Sequence, residues 1–405
     1  MKHLVPRSLR VAFLLSYSSV AHANLGVVLL TVFILALAGL NMLFVPGLLN
    51  GLVVSSDTKV KDTYAGDIVV ESATQNPLIV NAADLVKKIE SLDGVVAATP
   101  RNAIGAELTS NNDRANCMVT GIVPGLEERV FTTNQYLIEG SFLVDGDTGI
   151  VLGVQLAGAD KTDIELFSRS LKTVHAGDTV TVSYANGVVK SYQVKGIFQT
   201  EFIQTDLQAF ISESEFDAVS PAAKGNAGSI RIRIAAEEGI STVEEAIKSL
   251  RSGLRVSPWQ DYAGIMRSMT DSFSVINAIL DVVNILVAGT TVFIVTYIDV
   301  TNRRKQIGIQ RAIGITSAAV LQAYLIRAIF YAVVAMVVAG LIFWYVIMPI
   351  EARYPFRFPF GPVYLSIGSP EMARAFVILL AASLVAGSVP VWMSLRIRLL
   401  DAIWG

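Results

Sequence analysis

Four long apolar stretches, at 25–49, 281–300, 318–348 and 373–393, constrain this chain more than any other feature. Each reaches the roughly 20 residues that a helix needs to cross a hydrocarbon core about 30 Å thick. They dilute the charge of the whole: 16% of the residues are charged, against about a quarter in ordinary soluble domains. The net charge of −2 averages over unlike parts. Residues 51–267 hold 28 acidic and 19 basic side chains, and the remainder holds 6 acidic and 13 basic ones. An acidic, water-facing block is thus flanked by basic, membrane-crossing parts. That partition argues against a nucleic-acid partner. One cysteine, Cys117, excludes an internal disulfide and suits a small buried hydrophobe. His3, His22 and His175 are too scattered for a metal site.

Taken in order, the chain divides as follows. Residues 1–23 form a cytoplasmic N-terminal amphipathic segment. Lys2, Arg7 and Arg10 precede an apolar patch at 11–15, and Ala21-His22-Ala23 has the small-residue pattern of a signal-peptidase site. Cleavage there is rejected, because it would invert the charge bias of the later loops. The alternatives are an in-plane amphipathic helix over roughly 6–20 and a simple extension of the first span. Residues 24–50 are the first transmembrane helix, with a bend expected at Pro46. Residues 51–267 are an extracytoplasmic α+β domain. Strand, helix and strand at 67–71, 82–91 and 95–98 are matched by 229–234, 242–250 and 254–256. The two sets predict one split β-α-β subdomain, 51–120 plus 221–267. Between them lies an inserted β-rich subdomain, 121–220, where Asn186-Gly187 joins strands 179–184 and 188–194. A further strand is expected at 206–212, and 159–173 is a polar excursion.

A long helix from about 262 to 300 would measure about 60 Å, twice the apolar thickness of a bilayer. The first helix, running on to about 63, overshoots in the same way. Residues 268–300 therefore combine a stalk with transmembrane helix 2. A short loop at 301–316, transmembrane helix 3 at 317–348, an outer loop at 349–370, transmembrane helix 4 at 371–393 and a cytoplasmic C-terminus at 394–405 complete the chain. The fold class is a membrane protein with four transmembrane α-helices and a large extracytoplasmic α+β domain between helices 1 and 2. Orientation follows the positive-inside rule. Lys2, Arg7 and Arg10, then Arg303, Arg304, Lys305 and Arg311, then Arg396 and Arg398 occupy short segments of one side, against Arg353, Arg357 and Arg374 opposite. Both termini are expected in the cytoplasm.

Catalytic signatures are missing. There is no G-x-x-x-x-G-K-[ST], no H-E-x-x-H and no nucleophile elbow. The expectation is a non-catalytic chain without a cofactor of its own. Two charges fall within the spans, Asp281 and Arg327, and intramembrane charges are functional candidates. Their heights differ by roughly 13 Å at 1.5 Å per residue, so a direct pair is not expected. Arg327 would snorkel inward and Asp281 would sit in water at the base of the stalk. The loop is the remaining candidate. On a helix over 305–313, Ile309, Ala312 and Ile313 share one face, while Arg304, Lys305 and Arg311 lie on the other. Ile307 adds apolar surface, and Gly308 and Gly314 permit close approach or a stop. Such a helix either lies on anionic lipid or docks on a partner.

The loop Asn302-Arg303-Arg304-Lys305-Gln306-Ile307-Gly308-Ile309-Gln310-Arg311-Ala312-Ile313-Gly314 resembles E-R-x-x-E-I-G-I-x-R-A-I-G of the FtsX-like permease family of ABC transporters, which includes LolC/LolE and MacB types. The stretches 149–157 (GIVLGVQLA), 176–180 (AGDTV), 194–198 (VKGIF) and 400–403 (LDAI) are similar to pieces of LolC/LolE-like proteins, in the same order. The resemblance spans essentially the whole chain. It implies that the loop is a coupling helix docking into a separate cytoplasmic ABC ATPase, which binds the ATP. It also implies a second permease copy or paralogue, a stalk that relays motion, and a periplasmic adaptor or a substrate lipoprotein as a further partner beside membrane lipid. Two positions depart from the pattern. Gln306 replaces a glutamate, and Arg327 stands where relatives often have a carboxylate or an apolar residue. The LolC/LolE type implies lipoprotein release and the MacB type implies export, with the missing fused ATPase favouring the former. An FtsX-like signalling scaffold acting on a cell-wall hydrolase is the alternative, and a membrane-anchored binding protein without an ATPase is a third.

Overall fold

The computed structural model describes residue 16 and residues 25–161, 169–263, 265–358 and 361–396. The predicted in-plane helix over 6–20 lies outside them but for Ser16, as does nearly all of the C-terminal segment. The chain forms two compact units. One comprises Met1–Leu52, Met269–Phe356 and Val363–Gly405, and the other Val53–Ser268 with Arg357–Pro362.

The first unit is built on helices long and apolar enough to cross a membrane. Membrane helix 1 is Leu25–Lys59, membrane helix 2 is Ile265–Asn302, membrane helix 3 is Ser317–Ile342 and membrane helix 4 is Ser369–Leu395. Helix 1 continues as a wide π-turn through Val60–Ala65, and Gly66, at φ 73°, ends it. Helix 2 runs unbroken for 38 residues, about 57 Å at 1.5 Å per residue. Small residues let the helices approach closely. A Cβ added to Gly39 would stand 3.3 Å from the Ala339 side chain, and one added to Gly387 would stand 3.3 Å from Ala328 and Val292. Ala288, Ala328, Ala335, Ala375 and Ala382 are buried with Leu35, Leu43, Tyr331 and Leu379 in the same core. Asn41 donates from its amide to the Asn284 side-chain oxygen at 3.0 Å, a polar tie between helices 1 and 2. Helix 3 runs on through a wide turn, Phe343–Ile347, into a short helix, Met348–Arg353, and the segment predicted as an outer loop, 349–370, contains most of that helix and a strand pair, Phe356–Phe358 with Gly361–Val363. Aromatic and β-branched residues around the Pro-Gly turn signals make that pairing intelligible.

The second unit is a ten-stranded sheet. One half contains β1 (Ile68–Ser72), β2 (Val95–Ser110), β9 (Ser229–Ile234) and β10 (Leu254–Pro258), in the spatial order β10-β1-β9-β2 with every neighbour antiparallel. This is the split β-α-β arrangement. The helices Ala82–Glu90 and Ile240–Leu250 cover one face, where Leu85, Ile89, Val243 and Ile247 pack on Ile68, Val70, Ile230 and Ile232. Period-2 alternation in β9 sends its isoleucines to that face and Arg231 and Arg233 to the other.

The other half differs from the sequence reading. β3 (Asp113–Ile122) pairs along its whole length with β2, through a turn at Asn111 and Asn112, both at positive φ. β3 then pairs with β8 (Gln208–Ser212), β8 with β5 (Ile150–Gly153), and β5 with β7 (Val189–Phe198). β7 pairs with β6 (Thr179–Tyr184), and β6 returns to β2. Six strands thus close into a ring around Leu108, Val119, Leu152, Val182 and Ile211. β4 (Leu137–Gly140) adds to the outside of β7. The boundary expected near 120–121 falls inside β3. No break exists there because β2 serves both halves: its first residues pair with β9 and its later ones with β3 and β6. The predicted strand 206–212 begins two residues later, since Ile203–Asp206 is a turn of helix whose last carboxylate accepts from Thr200 and Glu201.

Candidate functional site

The loop between membrane helices 2 and 3 contains one helix, Arg304–Ala312. Its end is fixed by backbone geometry. Gly314, at φ 101°, donates to Arg311 O at 3.2 Å, and Ile315 donates to Gln310 O at 3.0 Å. These two bonds are those of a Schellman stop, which needs the left-handed residue that glycine provides. Two residues later the Thr316 hydroxyl accepts from the Ala319 N–H and caps membrane helix 3. The end of the loop helix and the start of membrane helix 3 are therefore separated by almost no slack.

Its side chains divide into an anchored set and an exposed set. Ile307 and Gly308 are buried, and Ile307 packs with Val300, Val320 and Val391, one residue from each of membrane helices 2, 3 and 4. Ile309 is 55% exposed and Ile313 is 74% exposed. Ala312, Gly314, Arg304, Lys305 and Gln306 are exposed beside them, with Arg311 half-buried. An isoleucine facing out on each of two successive turns, beside basic residues, is an apolar ridge with a cationic rim. Burial of two such side chains on a partner would contribute about 3 kcal/mol or more.

Asp281 and Arg327 form no pair with each other, and each has a different partner. Arg374, near the start of membrane helix 4, donates to the Asp281 carboxylate. Arg327 donates through Nη1 to Asp299 Oδ2 at 2.6 Å and through Nε to the Tyr331 hydroxyl at 2.9 Å. The other oxygen of Asp299 accepts from Arg303 Nε at 3.1 Å. Arg327 thus does not snorkel free; it is buried in a cluster that joins helices 2 and 3 beside the loop. The carboxylate that sequence reasoning passed over is Asp299. Its signal was present: it lies four residues before Arg303, the i,i+4 spacing that lets opposite charges meet. Among the described residues, no group of three or more His, Cys, Asp or Glu is placed to hold a metal ion.

Residues 279–399, which contain the loop helix, the Asp299 cluster and three of the membrane helices, match the family model of the FtsX-like permease C-terminal domain. This segment is an FtsX-like permease domain. With the apolar helix that precedes the sheet unit, it makes the chain a multi-pass membrane protein. Solved structures similar to this chain include the extracellular domain of the noncanonical ABC-type transporter YknZ from Gram-positive bacteria, at TM-score 0.34 and 8% identity over 47% of this chain and 98% of that one. Another is the periplasmic region of MacB from Actinobacillus actinomycetemcomitans, at TM-score 0.33 and 14% identity over 49% and 92% of the two chains. No curated protein matches the chain. Within the FtsX-like domain, the loop helix and the Asp299 cluster lie next to each other in the chain.

Proposed function

We propose that this chain is the permease subunit of an ATP-driven transporter of the ABC class, moved by a cytoplasmic ATPase that docks on the loop helix. The reading rests on one observation above the others: Ile309 and Ile313 are exposed on a short helix whose third isoleucine, Ile307, is packed among three membrane helices. A helix that merely floated on lipid would need neither the Schellman stop nor the anchored isoleucine. In this reading both termini are cytoplasmic and the sheet unit is extracytoplasmic. A second permease copy or a paralogue completes the membrane part, and the cargo is a lipoprotein or another apolar envelope molecule. The chain itself binds no nucleotide and catalyses no reaction.

The experiment is co-purification. Replacing Arg311 and Ile313 by Asp should remove the ATPase from detergent-extracted complexes while leaving membrane insertion unchanged. Undiminished co-purification of the double variant overturns the docking assignment. Orientation is read separately. Val189, at the exposed start of β7 (63% exposed), is changed to Cys in a Cys117→Ala background. An impermeant maleimide should label it in intact spheroplasts, and labelling only after lysis reverses the topology.

A further inference from the structure

The sheet unit contains a cavity of about 580 Å³ whose lining includes Arg101, Arg231, Thr120 and Ser229. It opens on the arginine face of the split sheet. β9 and β2 pair Ser229 with Arg101 and Arg231 with Thr99, so these side chains stand on the face opposite the two covering helices.

The arginines of this face are treated differently. Arg101 donates from Nε to Glu127 Oε1 at 3.0 Å and from Nη1 to Tyr64 O at 3.1 Å, and Phe131 stacks 3.8 Å from its guanidinium. Arg233 donates to Val130 O at 2.7 Å and to Lys61 O at 3.2 Å, with Asp62 at 2.9 Å. Arg231 has none of this. Its Nε and Nη1 are buried without an acceptor, and the Tyr262 ring lies 5.2 Å from the guanidinium carbon. A largely buried guanidinium that donates to no acid loses solvation that a ring face offsets only in part. Burial and the charge of Arg101 push its pKa down to about 10, so it remains cationic at neutral pH. Glu71, which also borders the cavity, is already paired with Arg255. With Arg101 paired to Glu127 and Glu71 to Arg255, Arg231 is the charged side chain of the lining that makes no ion pair. Leu78, Ile104, Met118 and Phe216 give the same space an apolar wall, beside the polar side chains of Asn102, Thr120, Gln208 and Ser229. The volume is that of a small-molecule pocket, and an apolar wall facing a few polar groups and one charge fixes an orientation.

We propose that this cavity binds a small amphiphile with a single anionic head, a carboxylate or a phosphodiester, whose oxygens complete the hydrogen bonding of Arg231 and whose apolar body lies against Leu78, Ile104, Met118 and Phe216. The site is independent of the loop helix and of any ATPase. It gives the sheet unit a ligand of its own, in the chemical class of fatty acids and of phospholipid head groups.

The test uses the full chain in a neutral maltoside detergent, with decanoate, dihexanoyl phosphatidylglycerol, acetate and decanol as probes. At least one of the first two should bind saturably and more tightly than acetate, which lacks the body, and than decanol, which lacks the charge. Decanoate alone would mark a carboxylate ligand, and dihexanoyl phosphatidylglycerol alone a lipid head group. Arg231→Met should weaken the bound anion by about tenfold or more, the loss of one charge-assisted contact; partition into micelles is common to both proteins and cancels. Without probe, Arg231→Met should melt at or above the temperature of the parent, because it removes an unmatched buried charge. Failure of both anions to bind saturably, equal binding by Arg231→Met, or a fall of several degrees in its melting temperature overturns the proposal. The last would mean that the guanidinium serves the fold.

Discussion

Arg327 in the membrane helices and Arg231 in the sheet unit are both guanidiniums set among apolar side chains. Arg327 has Asp299 at 2.6 Å and Tyr331 at 2.9 Å, whereas Arg231 has two buried nitrogens without acceptors. The difference lies in what surrounds each. A helix interior in a bilayer has no water to solvate a lone charge, so the charge must be matched within the protein. A cavity in a water-facing domain can leave one unmatched and let a ligand or solvent complete it. Buried charge therefore carries different information in the two regions. In the membrane unit Arg327 ties helices together, and in the sheet unit the matched Arg101 and the acceptor-poor Arg231 stand side by side on one face.

The strongest way to break this contrast is through Arg101, the matched neighbour of Arg231. Arg101→Met leaves Glu127, fully buried, without its cation. A stability loss of about 3–5 kcal/mol is expected, seen as a large fall in melting temperature, where Arg231→Met should show none. Equal behaviour of the two variants would erase the distinction between a matched and an unmatched arginine.

Next comes the membrane cluster. Arg327→Met should cost about 3 kcal/mol, the lower end for a broken buried pair, because Asp299 keeps Arg303. The double variant Arg327→Met with Asp299→Asn should recover part of that loss, measured as folded protein extracted from membranes. A double variant less stable than the single one would mean that Asp299 does more than neutralise Arg327.

A smaller effect comes from Asp206, buried in the sheet unit and hydrogen-bonded to the Thr200 N–H, the Thr200 hydroxyl and the Glu201 N–H. Burial outweighs these bonds and raises its pKa to about 6. The folded state then binds more protons than the unfolded chain between about pH 4 and 6, so stability falls as pH rises through that window. A shift of this size corresponds to about 3 kcal/mol. Asp206→Asn should flatten the pH dependence of the melting temperature between pH 4 and 7; an unchanged slope would place its source elsewhere.

Much of the membrane architecture can be seen in the sequence because length and apolarity alone define a span. The split sheet can be seen as well, since each strand-helix-strand set carries its own periodicity. Ring closure cannot, because it depends on β6 reaching back to β2 across about 75 residues. The β2–β3 hairpin is obscured by Ala, Asn and Gly in its strands, which weaken the β signal. Asp299 was hidden by position: a carboxylate at the end of a span beside a basic loop looks like punctuation. Arg231 was hidden by pattern. The run Ser229-Ile-Arg-Ile-Arg-Ile234 alternates as a strand with one wet face would, and only the tertiary fold lays Phe131 and Tyr262 over that face.

Ile307 has a consequence that extends beyond local packing. It shares a buried cluster with Val300, Val320 and Val391, and the loop helix is followed within a few residues by the capped start of membrane helix 3. The loop helix and three spans are thus keyed to one another like a pinion seated among three racks.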